Sequence, residues 1–136
     1  MIVVDTNIIS YLYLPTKYSE FTEQLIKQEP IWAVPVLWKS EFRNVLTGYL
    51  RRDLIDFDSV IAILQEAEDL MSTHEYQLSS IQVIKLVLES DCSAYDCEFV
   101  ALAKQLGTKF VTQGKKILRN FPETALSLES YLNSKV

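Results

Sequence analysis

Glycine and proline are scarce, with three and four residues in a chain of 136. Such a chain has little material for a flexible linker or a low-complexity tail, and no internal repeat is visible. No apolar run approaches the roughly 20 residues a membrane-spanning helix needs. The opening Met1-Ile2-Val3-Val4-Asp5 sets an acid where a secretory leader would carry its continuous apolar stretch, so a cytoplasmic location without membrane attachment is expected. There are two cysteines, Cys92 and Cys97, five apart and with no histidine pattern beside them. That spacing fits neither a zinc site nor a redox pair, and both are read as small buried hydrophobes. The single histidine, His74, has no Cys or His near it and is assigned no chemistry. Basic residues are outnumbered, 13 Lys and Arg against 18 Asp and Glu, for a net charge of −5. This argues against broad binding to polyphosphate, which depends on cationic side chains displacing counterions. It leaves room for carboxylate-based metal chemistry, since a bound divalent ion reverses the field of the acids that hold it.

What remains is an ordinary globular composition, 49% apolar and 23% charged, at a length that suits one domain over 1–136. Residues 2–4 are a β-branched run ending on an acid, as in a buried parallel strand. Thr6 and Asn7 are capping types, so a helix is expected to about residue 13, before Pro15. Amphipathic turns at 21–28 precede a strand at 31–34 closed by Pro35. From 36 to about 52, Leu37, Phe42, Val45, Leu46, Tyr49 and Leu50 recur at helical spacing, and Val60, Ile63, Leu64, Ala67 and Met71 do so after Asp58. A strand at 75–78 and a helix at 80–88 follow. Ser93, with Asp96 three residues on, resembles a capping box opening a helix that Gly107 stops. A strand at 109–112, a short helix at 115–120, a strand at 125–128 and a terminal turn at 129–133 complete the chain. Alternating strands and helices indicate an α/β/α sandwich, three layers around a mainly parallel sheet of four to five strands. Ligands in such sheets sit beyond the carboxyl ends of the strands.

Three acids occupy positions the pattern marks as at least half-buried. Asp5 closes the first strand, Glu41 shares a helical face with Leu37 and Val45, and Asp96 opens the face carrying Phe99 and Ala103. Each also has a plain reading: Asp5 as a helix cap, Glu41 as a solvated helix residue, Asp96 as the third residue of its capping box. Buried carboxylates must be paired, hydrogen-bonded or bound to a cation, and no set of basic residues is placed to neutralise all three. A shared divalent ion would.

In order along the chain, these residues resemble the PIN-domain family. Ile2-Val3-Val4-Asp5-Thr6-Asn7 is similar to its opening strand and Asp-Thr-Asn. Ser40-Glu41-Phe42-Arg43-Asn44-Val45-Leu46 is similar to its second acidic motif. Ser93-Ala94-Tyr95-Asp96, running on to Ala101-Leu102-Ala103, resembles the third, and Lys109-Phe110-Val111-Thr112-Gln113 the fourth strand. The nearest subclass in length and layout is the VapC toxins of toxin–antitoxin pairs. The resemblance implies an endoribonuclease dependent on magnesium or manganese, acting on RNA. Asp5, Glu41 and Asp96 would be its metal ligands and catalytic acids, directly or through water, and Asn7 and Thr112 polar residues orienting those ligands or a water. It further implies a homodimer, each subunit wrapped by a cognate antitoxin protein.

The family commonly carries a fourth acid two residues after the strand threonine, where this chain has Gly114. One carboxylate fewer weakens a second metal site more than a first. Asp91 has some freedom to reach in, whereas Glu98 points off the Asp96 face. Lys115, Lys116 and Arg119 follow Gly114, and Arg43 follows Glu41, as candidate RNA-phosphate contacts or as solvated surface. An inactive PIN domain that binds RNA or protein is therefore the alternative to a nuclease. A phosphoacceptor receiver domain would need an acceptor Asp on a strand at 75–78, which has none, and is set aside. For the partner surface, Tyr11, Tyr13, Leu14 and the helix over 60–71 carry more apolar groups than a small monomer readily hides.

Overall fold

In the computed structural model, residues 1–134 are described. Ile2–Val4 (β1), Trp32–Pro35 (β2), Glu75–Tyr76 (β3), Phe110–Val111 (β4) and Ala125–Leu126 (β5) form one sheet of order β3-β2-β1-β4-β5. Every pairing is parallel, with Ile2 opposite Trp32, Val3 opposite Phe110 and Val4 opposite Val111. The helices are Thr6–Tyr13 (α1), Ser19–Gln28 (α2), Trp38–Arg51 (α3), Phe57–Met71 (α4), Ser80–Leu88 (α5), Ala94–Leu106 (α6), Lys115–Asn120 (α7) and Leu128–Asn133 (α8). Among the described residues no helix is long and apolar enough to cross a membrane.

The strand order fixes where the helices go. The path β1, β2, β3 steps one way along the sheet, and β3, β4, β5 steps the other way past β1. With right-handed crossovers, α1 to α4 then cover one face and α5 to α7 the opposite one. Three fully buried residues, Val3, Val4 and Val111, line the middle of the sheet, as strands covered on both faces require. On the second face, Phe99 of α6 stacks on Phe110 of β4 with ring centroids 5.4 Å apart. The order reverses between β1 and β4. The crevice beyond their carboxyl ends is the topological switch point, where doubly wound sheets take ligands.

The expected α/β layers and parallel sheet are present, and every strand pairing is parallel. Several boundaries differ from the sequence reading. Pro35 lies in β2, opposite Tyr76, instead of closing the strand. It sits beyond the register of β2 with β1, so its missing N–H costs no ladder bond there. β3, β4 and β5 are only two residues long; the Thr112 N–H still donates to the Leu126 carbonyl at 3.0 Å just past β4, and Ser127 ends β5 by capping a helix. Residues 128–133 are thus helix rather than turn. The first helix is capped by Asp5, with Thr6 already its first helical residue.

The α6 segment follows its signals closely. Ser93 caps it, the Oγ accepting from the Asp96 N–H at 3.1 Å. Gly107 ends it at φ +65°, a left-handed conformation that side chains beyond glycine rarely adopt. Cys92 and Cys97 are buried and free, just before the cap and four residues past it, where a hydrophobic staple fixes the chain's entry into a helix.

Candidate metal centre

Asp5 leaves β1 at the switch point and is held from both sides. Its N–H donates to the Val111 carbonyl at 3.0 Å, extending the β1–β4 ladder by one residue. Its Oδ1 accepts from the Thr6 N–H at 2.7 Å, and its Oδ2 from the Thr112 hydroxyl at 2.6 Å. The Gly114 N–H donates to the Thr112 Oγ1 at 3.0 Å. A hydroxyl has one proton, so with its oxygen accepting from Gly114 it is left to donate to Asp5. The backbone of residue 114 therefore orders this side of the site without any side chain. Thr112 is fully buried, and a fixed orientation follows.

Glu41 stands in the first turns of α3, half-buried. Its Oε1 accepts from the Thr6 hydroxyl at 2.7 Å. Thr6 is 4% exposed and so binds Asp5 through its backbone and Glu41 through its side chain. Asp96 comes from the opposite face of the sheet, in the first turn of α6. It contributes its N–H to the Ser93 cap, but its carboxylate accepts no hydrogen bond and forms no ion pair among the described residues. Only half of the capping box is made, and the acid is left facing the crevice.

All three acids line one open cleft of about 420 Å³, with Thr6, Asn7, Asn44, Val45, Gly114, Lys115, Lys116 and Ile117. Burial pushes the Asp5 carboxyl above its ordinary value against the pull of Thr112 and the α1 amides, and Asp96 adds repulsion. Burial likewise raises Glu41, with Asp5, Asp96 and Glu98 adding to it and the Thr6 hydrogen bond opposing. Among the described residues no group of three acids, histidines or cysteines closes tightly enough to hold an ion by itself. The donor set is nonetheless the right chemistry for a hydrated divalent ion: hard oxygens in one cleft, Glu41 Oε2 and the whole Asp96 carboxylate without a protein partner, and no cation within ion-pair distance. A small ion that keeps several waters fits this better than one needing a full protein cage.

Of the other expected residues, Asn7 lines the cleft and is exposed, and Lys115 and Lys116 line it from the start of α7. Arg43 and Arg119 are exposed outside the lining. Arg43 is two residues from Glu41, which turns it about 200° around α3. Neither Asp91 nor Glu98 lines the cleft: Asp91 is exposed, and Glu98 lines a separate depression with Leu78, Val83 and Ile84. Neither position brings a further carboxylate to the cleft. Thr6 and Asn44 were missed by the sequence reading. Thr6 stood inside the recognised Asp-Thr-Asn opening but was read only as a cap.

The apolar surface also differs from the expectation. Leu14 is buried, Tyr11 and Tyr13 pack on the core, and Val60, Ala67 and Met71 face inward. The exposed large apolar side chains are instead Met1, Ile31 and Val36 about β1 and β2, Leu54 and Phe57 before and at the start of α4, Ile81, Ile84 and Leu88 along one stripe of α5, and Tyr95.

A model of the PIN-domain family matches residues 2–123. Ribonuclease VapC3 of Pyrobaculum aerophilum is 29% identical over 124 residues, 89% of this chain and 95% of that protein. Solved structures share the fold. A Pyrobaculum aerophilum protein superposes with a TM-score of 0.76 at 20% identity, over 97% of this chain and 93% of its own. FitAcB from Neisseria gonorrhoeae gives 0.74 at 15%, covering 95% and 99%. A toxin–antitoxin complex from Klebsiella pneumoniae gives 0.69 at 16%, covering 94% and 98%.

Proposed function

The chain belongs to the PIN-domain family, and on that premise we propose that it is a magnesium- or manganese-dependent endoribonuclease, the toxin of a toxin–antitoxin pair. The observation that carries the reading is the meeting of Asp5, Glu41 and Asp96, from the end of β1, from α3 and from α6, at the crevice between β1 and β4. The name of the VapC3 relative supports RNA as substrate, and the toxin–antitoxin complex among its structural neighbours supports a protein antitoxin.

Asp5, Glu41 and Asp96 would hold the ion, in part through water. An ion bound there supplies positive charge that acidifies water and offsets the charge developing at phosphorus. Thr112 fixes the Asp5 carboxylate, and Asn7 lies where it can orient a water in the cleft. Lys115 and Lys116 would position the RNA phosphate from the α7 side without reading sequence. With three carboxylates in place of four, one ion is electrostatically favoured and a second is not. The functional unit is a homodimer in the cytoplasm, and the exposed stripe on α5 is its candidate surface.

The test is cleavage of single-stranded RNA in magnesium, in manganese and in excess chelator. Cleavage that requires the ion is expected, and cleavage unaffected by chelator overturns the metal assignment. A PIN domain that binds RNA or protein without cutting is the second reading, favoured by Gly114 in the fourth acidic position. Binding with no cleavage in either metal would establish it.

A further inference from the structure

We infer that Thr6 is a positioning residue that ties Glu41 to Asp5 and sets which Glu41 oxygen faces the ion; this rests on the metal-site reading above. Thr6 is the first residue of α1 and is 4% exposed, a depth at which a hydroxyl must find a partner. Its partner is not its own helix. The neighbouring buried hydroxyl, Ser10, donates back to the Thr6 carbonyl one turn earlier, the usual outlet for a helical serine or threonine. Thr6 instead reaches across to α3 and donates to Glu41 Oε1 at 2.7 Å, 35 residues away in sequence. Its own N–H meanwhile holds Asp5 Oδ1 at 2.7 Å. One residue thus fixes the spacing of two carboxylates that repel each other.

The direction of the bond matters. The hydroxyl donates, so Oε1 is engaged as an acceptor and Oε2 is the oxygen left without a protein partner among the described residues. Without that hydroxyl Glu41 keeps the charge but loses its tether. Its longer side chain is then free to swing from Asp5 into solvent, since α3 offers it no other hydrogen bond among the described residues. Among the described residues Asp5 has Thr112 as a second clamp, whereas Glu41 has only Thr6. The dependence should therefore run through Glu41.

Three substitutions test it. Thr6→Val removes the hydroxyl while keeping the shape, Thr6→Ala removes it without crowding, and Thr6→Ser restores it. Manganese affinity is measured by calorimetry, with thermal melting to confirm folding and RNA cleavage as a second readout. Loss of an orienting partner typically weakens metal binding by about 10- to 100-fold. A drop of about tenfold or more is expected for Val or Ala, with Ser recovering most of it. On a Glu41→Gln background, removing the hydroxyl should cost far less, because the two act together. Folded Val or Ala variants that bind manganese as the unsubstituted protein does would overturn the role of Thr6. An unsubstituted protein that binds no manganese would overturn the metal-site reading itself, which is a separate result.

Discussion

Gly114 has φ −70° and ψ 112°, extended values open to any residue, so its backbone does not require glycine. An added Cβ would meet Thr112 Oγ1 at 3.3 Å and Ile117 Cδ1 at 3.4 Å, so these neighbours must give by a few tenths of an ångström to admit it. Gly114→Asp should therefore fold. It should also tighten metal binding and raise cleavage, since Asp would add a carboxylate at the edge of the cleft, and it can cap α7 besides. Calorimetry and RNA cleavage on both forms check this; no change in either, in a folded variant, means that position 114 is not the vacant ligand. The acids also predict an unusual pH response. Asp5 and Glu41 have folded-state values raised above their ordinary ones, so from those ordinary values upward the folded chain keeps protons that the unfolded chain has released. The stability these two groups contribute is then greatest at acid pH and falls as pH rises through their folded values. Asp56, held low by Ser59 at the start of α4, works in the opposite sense but is exposed. In chelator, the melting temperature should decline across mildly acidic pH towards neutrality, and magnesium should reverse that decline. A protein whose melting gains as much from magnesium at pH 4 as at pH 7 would contradict this. Asp5, Glu41 and Asp96 were legible in the sequence because acids on apolar faces need an explanation. Thr6 was not, because a threonine beside a strand-ending Asp has a local use as a cap, and its bond to Glu41 exists only once α1 and α3 meet.

The α6 helix shows how an element places a candidate ligand side chain. Ser93 satisfies its first turn, the buried Cys92 and Cys97 set its entry, and Phe99 stacks on Phe110 of the neighbouring strand. Together these aim Asp96 across the carboxyl edge of the sheet. Ser93→Ala should cost about 1 kcal/mol, as lost caps do, which for a chain of this size lowers the melting temperature by roughly 4 °C. It should also weaken metal binding, because the turn carrying Asp96 frays first. Unchanged melting would mean that the cap contributes nothing. Elements with strong punctuation, such as α6 between Ser93 and Gly107, were readable from sequence within a residue or so. The two-residue strands β3, β4 and β5 were drawn too long, since nothing in the residues that follow, Gln77, Thr112 and Ser127, marks where the ladder ends. The 128–133 segment was missed as a helix because its cap, Ser127, sat inside an apolar run taken for strand.

At the scale of the molecule, the strand order explains why residues from both faces of the sheet share one cleft: α1 and α3 lie on one side of β1 and α6 on the other. Sequence alternation gave the layered class, but not the order β3-β2-β1-β4-β5, which depends on long-range pairing. It also misplaced the sticky surface, because Val60, Ala67 and Met71 turned out to be core, while the exposed stripe of Ile81, Ile84 and Leu88 lies on a helix that was given no surface role. If that α5 stripe is the dimer surface, light scattering at tens of micromolar should give twice the mass of the chain, and Leu88→Glu, at a position 83% exposed, should halve it without lowering the melting temperature. A monomer before substitution would count against the dimer. The central claim is that the three acids hold the ion that drives RNA cleavage, and Asp96 is the place to test it. Its carboxylate makes no hydrogen bond or ion pair among the described residues, so Asp96→Asn removes charge from the cleft without breaking the fold. The measurement is the single-turnover cleavage rate of single-stranded RNA in saturating magnesium for the two proteins. Loss of several kcal/mol of charge stabilisation predicts a fall of about 100-fold or more with melting unchanged; equal rates would contradict the account.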